Sequence, residues 1–308
     1  MCFFNITYKN AILTEKTKGT GQTMEKISIK GPYNFDQVLN RLALDPLNQI
    51  DRQERSVKVP LIVNGDKQVV KVTATGTTEE PSFELSRSSK TNEAVIARLR
   101  EIFQWDQPLD DIHNHFRQTD LAPIFKEHVG TPLVLDFDPY NCLLKCIVHQ
   151  QLNLKFAHTL TQRFVTTFGS EVDSAYFYPD PETLANTKIE ELRELQFSGR
   201  KAEYAIGVAQ AMVEGKLDLH KLHDKSDDEI MEELVKLKGI GPWTVQNFLM
   251  FGLGRPNLFP VADIGLQNAL KKLYNMDRKP TKEEMEGYKP SWEPYASYAS
   301  LYLWRSIE

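Results

Sequence analysis

Residues 237 to 263, LKGIGPWTVQNFLMFGLGRPNLFPVAD, combine the residue types and spacing best suited to chemistry in this chain. Gly239 and Gly241 let the backbone turn tightly with its N–H groups exposed. Pro242 suits the first position of a helix, where its missing N–H leaves nothing unpaired. A helix start beside free amides favours phosphate. Asp263 follows Trp243 by twenty residues. A carboxylate placed one helix later could do chemistry on whatever that phosphate belongs to. The same position also suits an N-cap for the helix GLQNALKKLY. Alone, a GxG turn is equally an ordinary corner between helices.

The elements that must position these residues read in two blocks. From 24 to 95 the pattern is strands and turns around one early helix. EKISIKG alternates at Ile27 and Ile29, and FDQVLNRLAL places Phe35, Val38, Leu39 and Leu42 at helical spacing. RSVKVPLIVNGDKQVVKVTATG reads as a hairpin turning at Asn64-Gly65-Asp66, and SFELSRS as a further strand. From 96 to 308 the period is helical, with roughly ten helices expected, many opening on Asp or Ser. The fold class is therefore α+β: a mainly α-helical domain behind a small N-terminal antiparallel-sheet α/β domain. Residues 1 to 23, rich in Thr, Gly and Lys near their end, read as a disordered leader without a signal-peptide pattern.

Composition narrows the classes. The chain has 308 residues and a net charge of -5, which as a whole-chain value argues weakly against a nucleic-acid partner. A local patch is the better measure. No stretch approaches the roughly 20 apolar residues of a membrane span. Cys2, Cys142 and Cys146 are too few for a cysteine-ligated cluster and suit a reducing cytosol. The seven histidines lack zinc spacing. No cofactor is expected.

GIGPWT, the loop GLGRPNLFPVAD and its aspartate resemble the helix-hairpin-helix (HhH-GPD) DNA glycosylases, over roughly residues 130 to 308. The C-terminal run SWEPYASYASLYLW is similar to the end of the AlkA-like DNA-3-methyladenine glycosylase II group. The resemblance implies that Asp263 is the catalytic carboxylate. It implies that Trp304 lines the base pocket, where an indole stacks on cationic alkylated purines. Trp243 and Tyr298 are further pocket candidates, although an aromatic stripe at helical spacing is usually core. Relatives that also cut the backbone carry a lysine where this chain has Trp243, so the resemblance implies a monofunctional hydrolase without a Schiff base.

DNA contacts are expected from the hairpin (Gly239, Gly241, Thr244) and from the glutamine-rich turn (Gln150, Gln151, Asn153). Gln151 stands at the position of the residue wedged into the gap left by a flipped base. Arg200 and Lys201 are expected to meet phosphates or the flipped nucleotide. The hairpin backbone at Lys238, Gly239 and Gly241 is expected to hold a monovalent cation, with no catalytic metal. Asn247 and Ile264 stand where the AlkA-like group has aromatic residues, which puts substrate breadth in question.

The expected function is release of alkylated purines from damaged double-stranded DNA by a cytoplasmic monomer working on chromosomal DNA. The rival readings are an oxidised- or deaminated-base glycosylase of the same superfamily and a non-catalytic hairpin DNA-binding protein.

Overall fold

The computed structural model describes residues 15–19, 22–87 and 93–307. The N-terminal block is a six-stranded antiparallel sheet in the order β1-β2-β6-β5-β4-β3. Its strands are β1 (Glu15–Gly19), β2 (Gln22–Ser28), β3 (Gln49–Asp51), β4 (Ser56–Val63), β5 (Asp66–Ala74) and β6 (Ser82–Arg87). The turn expected at Asn64-Gly65 joins β4 to β5, with φ of 55° and 83° at its two residues. Positive φ at both positions matches the right-handed twist of the strands it connects.

The single early helix, α1 (Phe35–Leu42), is capped by the Asn34 side chain, and it buries the four apolar residues that its spacing singled out. Part of the expected leader is corrected: residues 15–19 pair with β2 as an edge strand. Backbone pairing alone supports an edge strand, and its Lys- and Thr-rich composition is one that edges tolerate. Residues 1–14 lie outside the described residues, Cys2 among them.

The helical block holds α2 (Glu93–Phe103), α3 (Leu109–Phe116), α4 (Ala122–Glu127), α5 (Pro139–His149), α6 (Leu154–Phe168), α7 (Pro181–Ala185) and α8 (Ile189–Glu194). It continues with α9 (Gly199–Val213), α10 (Asp227–Leu234), α11 (Pro242–Phe251), α12 (Ile264–Leu273), α13 (Lys282–Tyr288) and α14 (Ala296–Arg305). That is more than the roughly ten expected.

A small hairpin, Ser170–Val172 with Ala175–Phe177, was not anticipated. It docks the sheet onto the helices. Lys58 donates to the Asp173 carbonyl at 2.8 Å, Lys67 donates to the Ser170 hydroxyl at 2.8 Å, and Val69 packs with Ala175 and Phe177. The main core is continuous across both blocks, running from Ile27 and Phe83 through Phe103 and Trp105 to Leu303. The two expected domains therefore share buried surface. Among the described residues no helix is long and apolar enough to cross a membrane.

Candidate active site

Four helices that line or flank one cleft begin with a cap. Asn153 caps α6, Ser198 caps α9, Gly241 caps α11 and Asp263 caps α12. The cleft has a volume of about 920 Å³ and is lined by the hairpin residues, Gln151, Arg200, Lys201, Trp243 and Asp263. The helix starts bring positive dipole ends to the cleft, and α11, whose Gly241 has no side chain to cap with, keeps free N–H groups suited to phosphate.

Asp263 is held by two donors on one oxygen. Its Oδ1 accepts from the Leu266 N–H at 2.9 Å and from the Trp304 indole N–H at 2.9 Å. Oδ2 has no hydrogen-bond partner among the described residues. The N-cap role read from sequence is therefore real, and it leaves one carboxylate oxygen for other work.

The indole reaches the carboxylate because Gly265 lies between them. A Cβ at Gly265 would stand 2.9 Å from Asp263 Oδ1 and 3.0 Å from Trp304 Cδ1. Sequence reading passed over Gly265; the glycine two residues after the aspartate was the available signal. Trp304, half-buried beside Phe251, meets the site through its N–H edge.

The hairpin turn is built on Gly239, whose φ is +86°. A Cβ there would fall 2.1 Å from the ring of Tyr204 on α9, so the turn is seated directly on that ring. Lys238 pairs with Glu203 at 2.6 Å, on the same helix. The glutamine turn is tied to the hairpin by Gln150. Its amide donates to the Gly239 carbonyl at 2.9 Å and to the Thr244 hydroxyl at 3.0 Å.

Lys201 caps the end of α5, donating to the Val148 and Gln150 carbonyls. Burial of its ammonium lowers its pKa to about 8. Gln151 is exposed between these ties with a φ of 53°. Asn153 spends its side-chain oxygen on the Phe156 N–H at 2.9 Å.

Three expectations need correction. Tyr298 is only 1% exposed and belongs to the core, because α14 is buried on every side from Ala296 to Leu303. It is not a pocket residue. Thr244, at 2% exposure, and Gln150 bond to each other and hold the two turns together, so neither hydroxyl nor amide is presented to a phosphate. Arg200 and Gln151 remain exposed on the cleft as expected. Ile264, 62% exposed, places an apolar side chain at the cleft rim.

Beside the cleft lies a smaller cavity of about 240 Å³. Trp243 and His149 line both and form their common wall. The cavity also contains Asn247, whose amide donates to the Trp243 carbonyl at 2.9 Å. It holds an ion cluster that sequence reading missed: Lys145 bonds Asp136 and lies 3.7 Å from Asp45. Burial pushes the Asp136 carboxyl up, and the Lys145 and Arg41 charges together with hydrogen bonds from Lys145 and Cys142 more than reverse this, leaving it below its ordinary value. Burial also keeps the His149 imidazole uncharged, lowering its pKa to about 3. Among the described residues no group of His, Cys, Asp or Glu is placed to hold a metal ion. At the hairpin, the Gly239 carbonyl already accepts from Gln150 and keeps one lone pair.

Comparison with known proteins places this geometry. Residues 144–294 match the model of the HhH-GPD superfamily base excision DNA repair proteins. YfjP of Bacillus subtilis (strain 168) is 55% identical over 285 residues, covering 92% of this chain and 99% of YfjP. The chain belongs to the HhH-GPD superfamily. Within it, the DNA-3-methyladenine glycosylase of Bacillus subtilis (strain 168) is 32% identical over 220 residues, covering 70% of this chain and 73% of that protein. A 3-methyladenine DNA glycosylase from Archaeoglobus fulgidus shares the fold, with a TM-score of 0.80 at 23% identity over 91% of this chain and 96% of that one. The HhH-GPD match spans the helices that carry the glutamine turn, the hairpin and Asp263.

Proposed function

We propose that this protein is a DNA N-glycosylase of base excision repair that flips alkylated purines, of the 3-methyladenine type, out of duplex DNA and releases them by hydrolysis. The observation that carries the reading is the fixed carboxylate: Asp263 is held by the Leu266 and Trp304 N–H groups, with Oδ2 left over, in a cleft walled by Trp243. The names of its superfamily relatives support the substrate class.

In this reading the duplex phosphates sit on the hairpin at Gly239 and Gly241 and on Arg200. Gln151 fills the gap left by the flipped base, and the base enters the smaller cavity past Trp243. Flipping costs a few kcal/mol, less for a damaged pair, so weakened pairs are selected first. The bond from C1′ to the base nitrogen breaks with its electron pair going to the base. A base alkylated at N3 or N7 is cationic and departs neutral. The sugar takes on oxocarbenium character, which the Asp263 carboxylate stabilises. A water adds to C1′ and gives up a proton, which Oδ2 is placed to accept. Should the backbone of Lys238, Gly239 and Gly241 hold a monovalent cation, it would supply positive charge beside a phosphate.

The enzyme is monofunctional in this reading. Trp243 has no amine, and the Lys201 amine is occupied by two carbonyls. Two experiments test the proposal. Wild type releases 3-methyladenine from methylated duplex DNA, and Asp263→Asn slows release at least a hundredfold while still binding an abasic-analogue duplex. Borohydride treatment during turnover traps no protein–DNA cross-link. A wild type that releases no alkylated, deaminated or oxidised base leaves a DNA-binding module as the reading; a borohydride adduct makes the enzyme a lyase.

A further inference from the structure

The smaller cavity has a wall from outside the superfamily match. Arg41, Leu42, Leu44, Asp45 and Asn48, at and just beyond the end of α1, close it from the N-terminal block. Among these, Asp45 has an unusual setting. Its side chain is 12% exposed. Oδ1 accepts from the Leu47 N–H at 3.0 Å. Oδ2 lies 3.7 Å from the Lys145 ammonium, outside hydrogen-bond reach, and that ammonium bonds Asp136 instead. Oδ2 thus has a charge partner and no hydrogen-bond donor, and it is not among the atoms sealed from solvent. A ligand that brings an N–H into the cavity supplies the missing donor.

The cavity's size fits such a ligand. About 240 Å³ is below the roughly 300–1,000 Å³ of pockets for drug-sized molecules and suits a single base. Its Trp243 wall supplies a flat indole and is shared with the cleft that holds Asp263.

We propose that Asp45 is the residue that reads the extruded base, its Oδ2 accepting a hydrogen bond from an exocyclic amino group on the base edge. The inference rests on the glycosylase reading above and gives it a specificity determinant supplied by the N-terminal block. A cationic alkylated adenine is the favoured ligand class. Its positive charge strengthens its amino group as a donor, and a donor to a carboxylate makes a charge-assisted bond. A purine with an oxo group at the same edge sets an acceptor against the carboxylate and is disfavoured. Sites built to pair a buried polar group discriminate strongly against partners that leave it unpaired.

Asp45→Asn tests this directly, because asparagine keeps the size and the Oδ1 acceptor for Leu47. Free 3-methyladenine is titrated against tryptophan fluorescence, and base release is measured from duplexes carrying 3-methyladenine or hypoxanthine. The variant is expected to bind free 3-methyladenine and to release it roughly 10- to 100-fold less well, the range for losing a hydrogen bond to a charged group. Hypoxanthine release stays the same or rises, and binding to an abasic-analogue duplex stays within about twofold, since no base occupies the cavity there. Asp45→Ser, which also retains an acceptor, serves if the asparagine variant does not fold. Unchanged affinity for free 3-methyladenine, or an equal loss with both lesions, overturns the proposal. Asp45-dependent binding of the free base by a wild type that releases nothing would instead sink the glycosylase reading and leave only base recognition by Asp45.

Discussion

Replacing Trp304 with phenylalanine separates two roles for that side chain. Sequence resemblance assigns the indole to stacking on the base, whereas the structure has its N–H on Asp263 Oδ1 at 2.9 Å. Phenylalanine keeps a stacking face and loses the donor. A hydrogen bond to a charged group contributes about 1.5–3 kcal/mol. If that contribution is felt in the transition state, the rate falls roughly 10- to 150-fold. The Leu266 N–H still holds Oδ1, so the carboxylate stays near its place but swings more freely. The assay is single-turnover release of 3-methyladenine and of hypoxanthine, which reports chemistry without product release. Positioning predicts the same fractional loss for both lesions, because the carboxylate serves both. Stacking on a cation predicts a loss of a few-fold at most, confined to the charged base. In an Asp263→Asn background, Trp304→Phe should add little, as expected for two residues acting through one contact. A loss under threefold in wild type, or one restricted to the cationic lesion, would refute the positioning role.

Other outcomes follow from the same geometry. Gly265→Ala should cut activity about tenfold while changing unfolding free energy by less than ~1 kcal/mol, because the new methyl meets Asp263 and Trp304 while alanine favours the helix; denaturant melts and release rates check this. Gly239→Ala combines a left-handed backbone with a clash on Tyr204, so urea titration should show a loss of about 2–5 kcal/mol along with loss of duplex binding. Lys201 has a folded pKa near 8 against an ordinary 10.5, so the unfolded chain binds more protons between those values and Lys201 makes stability rise across that window. Duplex affinity should fall over the lower part of it as the ammonium loses its charge, and Lys201→Arg, which stays charged, should flatten that fall in a binding–pH series.

Much of the fold was legible because its causes are local. The Asn64-Gly65 turn, the apolar spacing of α1 and the Pro242 start of α11 each depend on residues a few positions apart. Even the short helices α7 and α8 were legible as DPETLAN and KIEELRELQ, whereas the Ser170–Phe177 hairpin was missed because its three-residue strands are too short for a period to show. Tyr298 was misplaced for a different reason. Spacing says which residues share a helix face, but α14 is buried on every side from Ala296 to Leu303, and only tertiary packing decides that.

The sequence by itself determined where the Asp263 carboxylate and the hairpin stand in the chain, since helix caps, glycine turns and apolar periods are written in neighbouring residues. Tertiary structure decided what those residues touch. The Trp304 bond to Asp263 spans 41 positions and the Gln150 bond to Gly239 spans 89. The ion cluster of Asp45, Lys145 and Asp136 joins α5 to the N-terminal block. No spacing rule encodes such pairs. They exist because burying a shared core brings distant helix ends together, and a buried polar group must then find its partner there.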